Sequence, residues 1–345
     1  MSLTTRSTRG RLRTALMALG ATVLFTAVAG CSALGGSNAP AESNNGGTAA
    51  GGIEHPKLNI GVLPIVDVAA IQQAQAAGYF KAEGLDVTLT TVNSGAEAMP
   101  KLIAGDLDMT WTNWTSVIQA SQAKIATGVG DLRVLNASYQ AAPGSFLILT
   151  RPENNIKSPQ DLVGKKIAIN APGSITELIA KSALQSNGVD PATASYPAVA
   201  FPDMPAALAS HQVDATVILE PFLTAEEQAG AVTVLDAASG PTSEIPIAGI
   251  TATGNFVQQN PNTVAAFQRA VSKAQAEVAN RSVVEKLLPS YTKITPDQAP
   301  LLNFGTWPTT IDATRLQRVA DLMTQFQMIP GAFDVKPLLA GTATG

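Results

Sequence analysis

Two carboxylic acids and two serine–glutamate pairs are the residues of this chain whose types and spacing suit chemistry on a small molecule. Ser94-Gly95-Ala96-Glu97 and Ser174-Ile175-Thr176-Glu177 each place serine three positions ahead of glutamate where a helical pattern begins. That spacing has two readings. Either the serine hydroxyl caps the helix while the glutamate reaches back to the backbone, or the free N–H groups of the helix end hold an oxyanion. The readings pull against each other, because a glutamate in the first turn sets negative charge beside the anion. Asp67 and Glu220 each follow a strand pattern. Asp67 either caps a helix over 68–77 or faces a gap. Glu220 either pairs with a rim lysine or faces the same gap from the other side. Two acids aimed at one gap suit a ligand amine or ring N–H. Asn113-Trp114, past the end of a strand, is the expected site of contact, with the indole covering a ring or apolar carbons. Trp111 is the expected core residue of that pair of tryptophans. Phe222 either closes the pocket or packs between helices.

The residue types that are missing point to binding rather than turnover. The two histidines, His55 and His211, have no triad partners in view, and Cys31 is the only cysteine, so no disulfide or thiolate metal site forms within one chain. No H-E-x-x-H, P-loop or G-x-G-x-x-G motif occurs. We therefore expect no catalytic residues, no metal and no cofactor.

The elements that position these residues can be read from periodicity. Asp86–Thr90 and Asp108–Thr112 alternate with strand period, and 96–104 between them has helical spacing, which makes a β-α-β unit with parallel strands. Loops 93–95 and 113–114 then lie at the carboxyl ends of strands, where open α/β sheets take ligands. Further strands are expected at 58–63, 132–138, 146–150, 215–219, 232–235 and 246–253, and a strand ending at Ile169. Long helices are expected at 261–278 and 314–328. The run Met99-Pro100-x-Leu102-x-x-Gly105-x-Leu107-Asp108 is echoed, with one insertion, by Met204-Pro205-x-x-Leu208-x-x-His211-x-Val213-Asp214. Two lobes of similar build are the natural reading, since residues 57–345 exceed the roughly 250 at which one core usually divides.

Gly78-Tyr79-Phe80-Lys81-x-Glu83-Gly84-Leu85-Asp86-Val87, then Ser94-Gly95, then Leu102-x-x-Gly105-x-Leu107-Asp108, resembles the opening of a type 2 periplasmic binding protein. Within that group the chain resembles the nitrate, sulfonate and taurine solute-binding family with its thiamine-pyrimidine relatives. The resemblance runs from Leu58 to about Gln327. It implies an α/β fold of two lobes, each a mostly parallel sheet flanked by helices, joined by a double hinge near Gly144 and Gly240. It also implies capture of a small polar nutrient and delivery to the permease of an ABC importer. Ligand contacts carried over are Asp67, Ser94, Gly95, Asn113, Trp114, Ser174, Ile175, Thr176 and Glu220. The acids and the lack of a clear arginine set the chain apart from the sulfonate pattern. They put nitrate and bicarbonate in doubt, favour an amine-bearing sulfonate such as taurine, and leave a pyrimidine-like solute as the alternative. Enzymes of the menaquinone pathway and a pyrimidine synthase share the fold, so fold alone does not exclude catalysis.

The N-terminal region points outside the cytosol. Four arginines among residues 6–13 precede the uncharged run 15–27, which is short for a membrane span. Val28-Ala29-Gly30-Cys31 looks like a lipobox, so residues 1–30 read as a lipoprotein signal peptide and Cys31 as the lipidated residue. Removing those four arginines and no acid takes the formal net charge from −4 to −8, which argues against nucleic acid as a partner. Residues 31–56 read as a flexible tether, poor in apolar residues, with His55 solvated at its end. Residues 57–144 and 246–345 are expected to form lobe one and 145–245 lobe two, in a monomer anchored by lipid to the extracytoplasmic face of the membrane.

Overall fold

The computed structural model describes residues 52–339; the expected signal peptide, Cys31 and most of the expected tether lie outside them. Nine strands form two sheets: β1 Lys57–Val62, β2 Asp86–Thr91, β3 Met109–Asn113, β4 Leu132–Gln140, β5 Phe146–Thr150, β6 Ile167–Ala168, β7 Ala215–Leu219, β8 Val232–Asp236 and β9 Pro246–Thr253. One sheet has the order β2-β1-β3-β9-β4 and the other β6-β7-β5-β8. β2 and β3 both run parallel to β1, which lies between them. Each sheet contains one reversed strand, β9 in the first and β5 in the second. These are the strands that follow the two crossings between sheets. β3, β5, β7 and β9 are buried at every position, as expected of central strands covered on both faces.

The sequence echo has a structural cause. In the first sheet Asp108 Oδ2 accepts the N–H of Asn59 at 2.7 Å, and the Asp108 N–H donates to Asn59 O at 2.9 Å. In the second, Asp214 Oδ2 accepts the N–H of Lys166 at 2.8 Å, and the Asp214 N–H donates to Lys166 O at 2.9 Å. Each aspartate thus pins the entry of its strand to the neighbouring strand. The left-handed residue before it is Gly105 (φ 83°) in one case and His211 (φ 56°) in the other. His211 therefore fills a backbone position that glycine fills more easily, and its ring meets Asn154 Oδ1 at 3.1 Å.

The crossings are residues 141–145 and 237–245. They are tied together by the Ala141 N–H on Ile245 O at 3.0 Å and the Gly144 N–H on Asp236 Oδ2 at 2.9 Å. Helix Pro261–Val278 packs on the first sheet, with Gln275 Nε2 donating to Ala137 O and Pro308 O. The start of the fold lies a little before Lys57. Glu54 accepts the N–H groups of Asn262 and Thr263 at the start of that helix. His55 is not simply solvated: its Nε2 lies 3.3 Å from Asp108 Oδ1 and its ring meets Phe256 edge-on.

Candidate functional site

A small cavity, of about 10 Å³, lies between the two sheets, at the ends of their strands. From the first sheet it is walled by Ile65, Asp67, Trp111, Asn113 and Ile247. From the second come Phe146, Asn170, Ile175, Thr176, Phe201 and Leu219. None of these walls is a lysine or arginine.

Asp67 is the unusual group. It sits in the turn Val66–Val68, and helix Ala69–Ala76 begins after it without a side-chain cap. The capping reading is therefore set aside. The turn is held by its backbone: Ser138 Oγ donates to Asp67 O at 2.7 Å, and Trp307 Nε1 donates to Val66 O at 3.3 Å. The carboxylate is fully buried, and neither oxygen has a hydrogen-bond partner among the described residues. Burial pushes its carboxyl well above the usual carboxylate range. An unpaired buried acid costs free energy, which a ligand donor relieves.

Trp111 and Asn113 share the cavity face of β3 because strand side chains alternate. The indole Nε1 of Trp111 has no partner among the described residues. Asn113 Oδ1 accepts from Thr115 Oγ1 at 2.7 Å and the Ser116 N–H at 3.0 Å. It caps helix Trp114–Gln122, and its Nδ2 makes no hydrogen bond among the described residues. Gly95 lies beneath this corner, where a Cβ would stand 3.1 Å from Asn113 Nδ2.

The two serine–glutamate pairs differ. Ser94 Oγ accepts the Glu97 N–H at 3.1 Å, so that serine is used in capping and does not line the cavity. Ser174 leaves helix Ile175–Ser186 without a side-chain cap and bonds Thr176 Oγ1 at 2.8 Å instead. Thr176 Oγ1 in turn donates to Asn170 Oδ1 at 2.9 Å. Glu177 turns back to the Gly173 N–H and pairs with Lys181. The first N–H groups of that helix are thus uncapped by side chains, and Ile175 and Thr176 reach the cavity.

Two expected contacts lie elsewhere. Trp114 is buried against β9, where a Cβ on Gly249 would stand 2.1 Å from its ring. Trp114 lies off the cavity because it follows Asn113 and takes the opposite face, whereas Trp111 is buried in the core, as expected, and also walls the cavity. Glu220 follows Leu219 and likewise turns away, since Leu219 holds the cavity position. Its carboxylate accepts the Thr224 N–H (3.1 Å), the Thr224 hydroxyl (2.7 Å) and the Asn303 N–H (2.9 Å). Asn170, Phe146 and Phe201 were not foreseen. Asn170 stands just past β6, where the strand-end rule already applied to 93–95 and 113–114 finds it.

The chain matches the family described as NMT1/THI5 like over residues 66–282. It belongs to that family. Over 262 residues this NMT1/THI5-like chain is 24% identical to YtlA of Bacillus subtilis (strain 168), named a binding protein, covering 69% of the chain and 76% of YtlA. Its structure is similar to the alkanesulfonate-binding protein SsuA from Xanthomonas axonopodis pv. citri bound to MOPS. The TM-score is 0.71 at 18% identity, covering 84% of this chain and 99% of SsuA. It is also similar to the nitrate-binding protein NrtA from Synechocystis PCC 6803, with a TM-score of 0.70 at 16% identity over 85% and 87% of the two chains. These likenesses show the periplasmic binding protein fold.

Proposed function

We propose that this chain is a monomeric solute-binding lipoprotein on the extracytoplasmic face of the cell membrane, anchored through Cys31, that delivers a small solute to an ABC permease. It works by binding, not by catalysis. Residues 57–144 with 246–345 form one lobe and 145–245 the other, and the lobes close on the solute. The ligand is a zwitterionic aminosulfonate of the taurine type. One observation carries this reading: an unpaired buried carboxylate, Asp67, and a helix start without a side-chain cap, Ile175–Thr176, wall the same cavity. The ligand amine satisfies the first and its sulfonate oxygens the second. The absence of lysine and arginine from the walls weighs against a bare anion such as nitrate. The unpaired indole N–H of Trp111 with Phe146 and Phe201 supports an aminopyrimidine-like solute as the second reading.

A thermal-shift and fluorescence screen of the chain lacking residues 1–30 tests this. Taurine at about a hundred times its Kd raises stability by about 2.7 kcal/mol and changes the tryptophan emission. The emission change is lost in Trp111→Phe and kept in Trp114→Phe. A shift with nitrate or bicarbonate and none with any amine-bearing solute overturns the proposal.

A further inference from the structure

Residues 298–307 touch both sides of the cleft. Their far end is fixed to the first sheet. Thr306 and Gln140 exchange N–H and carbonyl bonds at 2.9 Å each, and the Gly305 N–H donates to Tyr139 Oη. A Cβ on Gly305 would stand 2.2 Å from Gln140 O, so only glycine fits this close approach. Arg281 steadies the middle, donating to Pro300 O at 2.9 Å and Leu302 O at 2.7 Å. Trp307, at the end of the segment, donates to Val66 O, next to Asp67.

Toward the second sheet the same segment reaches both ends of helix Phe222–Gln228. The Asn303 N–H donates to Glu220 Oε1 at 2.9 Å, just before the helix, and Gln298 Nε2 donates to Gln228 Oε1 at 3.1 Å, in its last turn. Glu220 adjoins Leu219, a wall of the cavity. The segment thus ties the turn that carries Asp67 to the strand end opposite. These two bonds hold only while the sides of the cleft are together. When the sides part, Glu220 Oε1 is left with the Thr224 hydroxyl alone.

The cavity they hold shut measures about 10 Å³, room for about one water. A solute of several non-hydrogen atoms does not fit until the sides separate. We infer that residues 298–307 form a clasp that keeps the cleft contracted, and that a solute must break it to bind. The clasp lowers the fraction of molecules able to take solute, and with it the apparent affinity. Where the solute goes rests on the reading of this cavity as its site; the clasp itself does not.

Asn303→Pro removes the N–H and little else. The Asn303 side chain is exposed, and Leu302 has φ −70° and ψ 147°, a conformation that a following proline allows. Gln228→Ala, on the surface, cuts the second bond. Spin labels on Ala104→Cys and Ala209→Cys, exposed helix ends on opposite sides of the cleft, report the separation in a Cys31→Ser background. Without solute the parent is expected to show one main distance, and Asn303→Pro a second, in at least a third of the molecules. Calorimetric titration with taurine is expected to give about tenfold tighter binding in Asn303→Pro, the size of one hydrogen bond to a charged group, and about twofold in Gln228→Ala. Parent-like distances in both folded variants overturn the clasp, and if Asn303→Pro does not fold, Gln228→Ala alone decides. Weaker taurine binding in the variants, with the second distance present, overturns the claim that the clasp opposes the solute. No taurine binding by any of the proteins, with the distances responding, overturns the head reading and leaves the clasp standing.

Discussion

Asp67→Asn is expected to weaken an amine-bearing ligand by a factor of several hundred or more, about 4 kcal/mol, while making the empty protein more stable. Both effects have the same source. The carboxylate is buried without a partner, so in the empty protein it is a burden, and with a bound ammonium it becomes half of a buried ion pair. Removing one half of such a pair is strongly unfavourable, at about 3–5 kcal/mol. Removing an unpaired buried acid is favourable. Titration of the variant with taurine and chemical denaturation of both proteins at pH 8 measure the two effects. Asn at this position with undiminished affinity removes Asp67 from the head site. Weaker binding with equal loss of fold stability assigns it a structural role instead.

The empty protein should also lose stability as pH rises through the neutral range. Glu226, in helix Phe222–Gln228, is buried with Oε2 accepting from Thr216 Oγ1 at 2.7 Å and Oε1 unpaired. Burial raises its pKa to about 7, against the pull of that hydrogen bond. Its folded pKa lies above the unfolded value of 4.5, so the folded state holds the proton more tightly. The stabilisation is complete below about pH 4.5 and is lost as pH passes through about 7. At 1.36 kcal/mol per unit this amounts to about 3 kcal/mol. Asp67 and Glu220 are raised by burial as well, and act in the same direction. Denaturation midpoints from pH 4.5 to 8 are expected to fall, with the slope reduced in Glu226→Gln. A flat or rising profile contradicts the burial of these acids as protonated groups.

The elements of this fold were legible because its central strands are continuous apolar runs and its helices keep their spacing. The predicted strand 246–253 and helix 261–278 coincide with those observed. The echo between Met99–Asp108 and Met204–Asp214 was legible as pattern, and its cause, two aspartates pinning strand entries, needed coordinates. The candidate site was less legible, and its misplaced members share one physical reason. A strand end names the neighbourhood of a ligand but leaves open which of two adjacent residues faces it. Asn113 and Leu219 take the cavity face, so Trp114 and Glu220 point the other way. Trp111 shares the parity of Asn113, a relation already visible in the sequence. The serine pairs diverged for a different reason: the same S-x-x-E spacing completes a cap at Ser94 and leaves one open at Ser174, because Thr176 engages the second serine. Local spacing does not register that competition.

The most direct test of the account is proton release on ligand binding. Calorimetric titration of the wild type at pH 6 in buffers of different ionisation enthalpy measures it. Burial raises the Asp67 carboxyl above its usual range, so pairing with an incoming ammonium should release protons from the wild type and none from Asp67→Asn. Solute binding with no proton release, or with the same release in the variant, contradicts the claim that this carboxylate receives the solute.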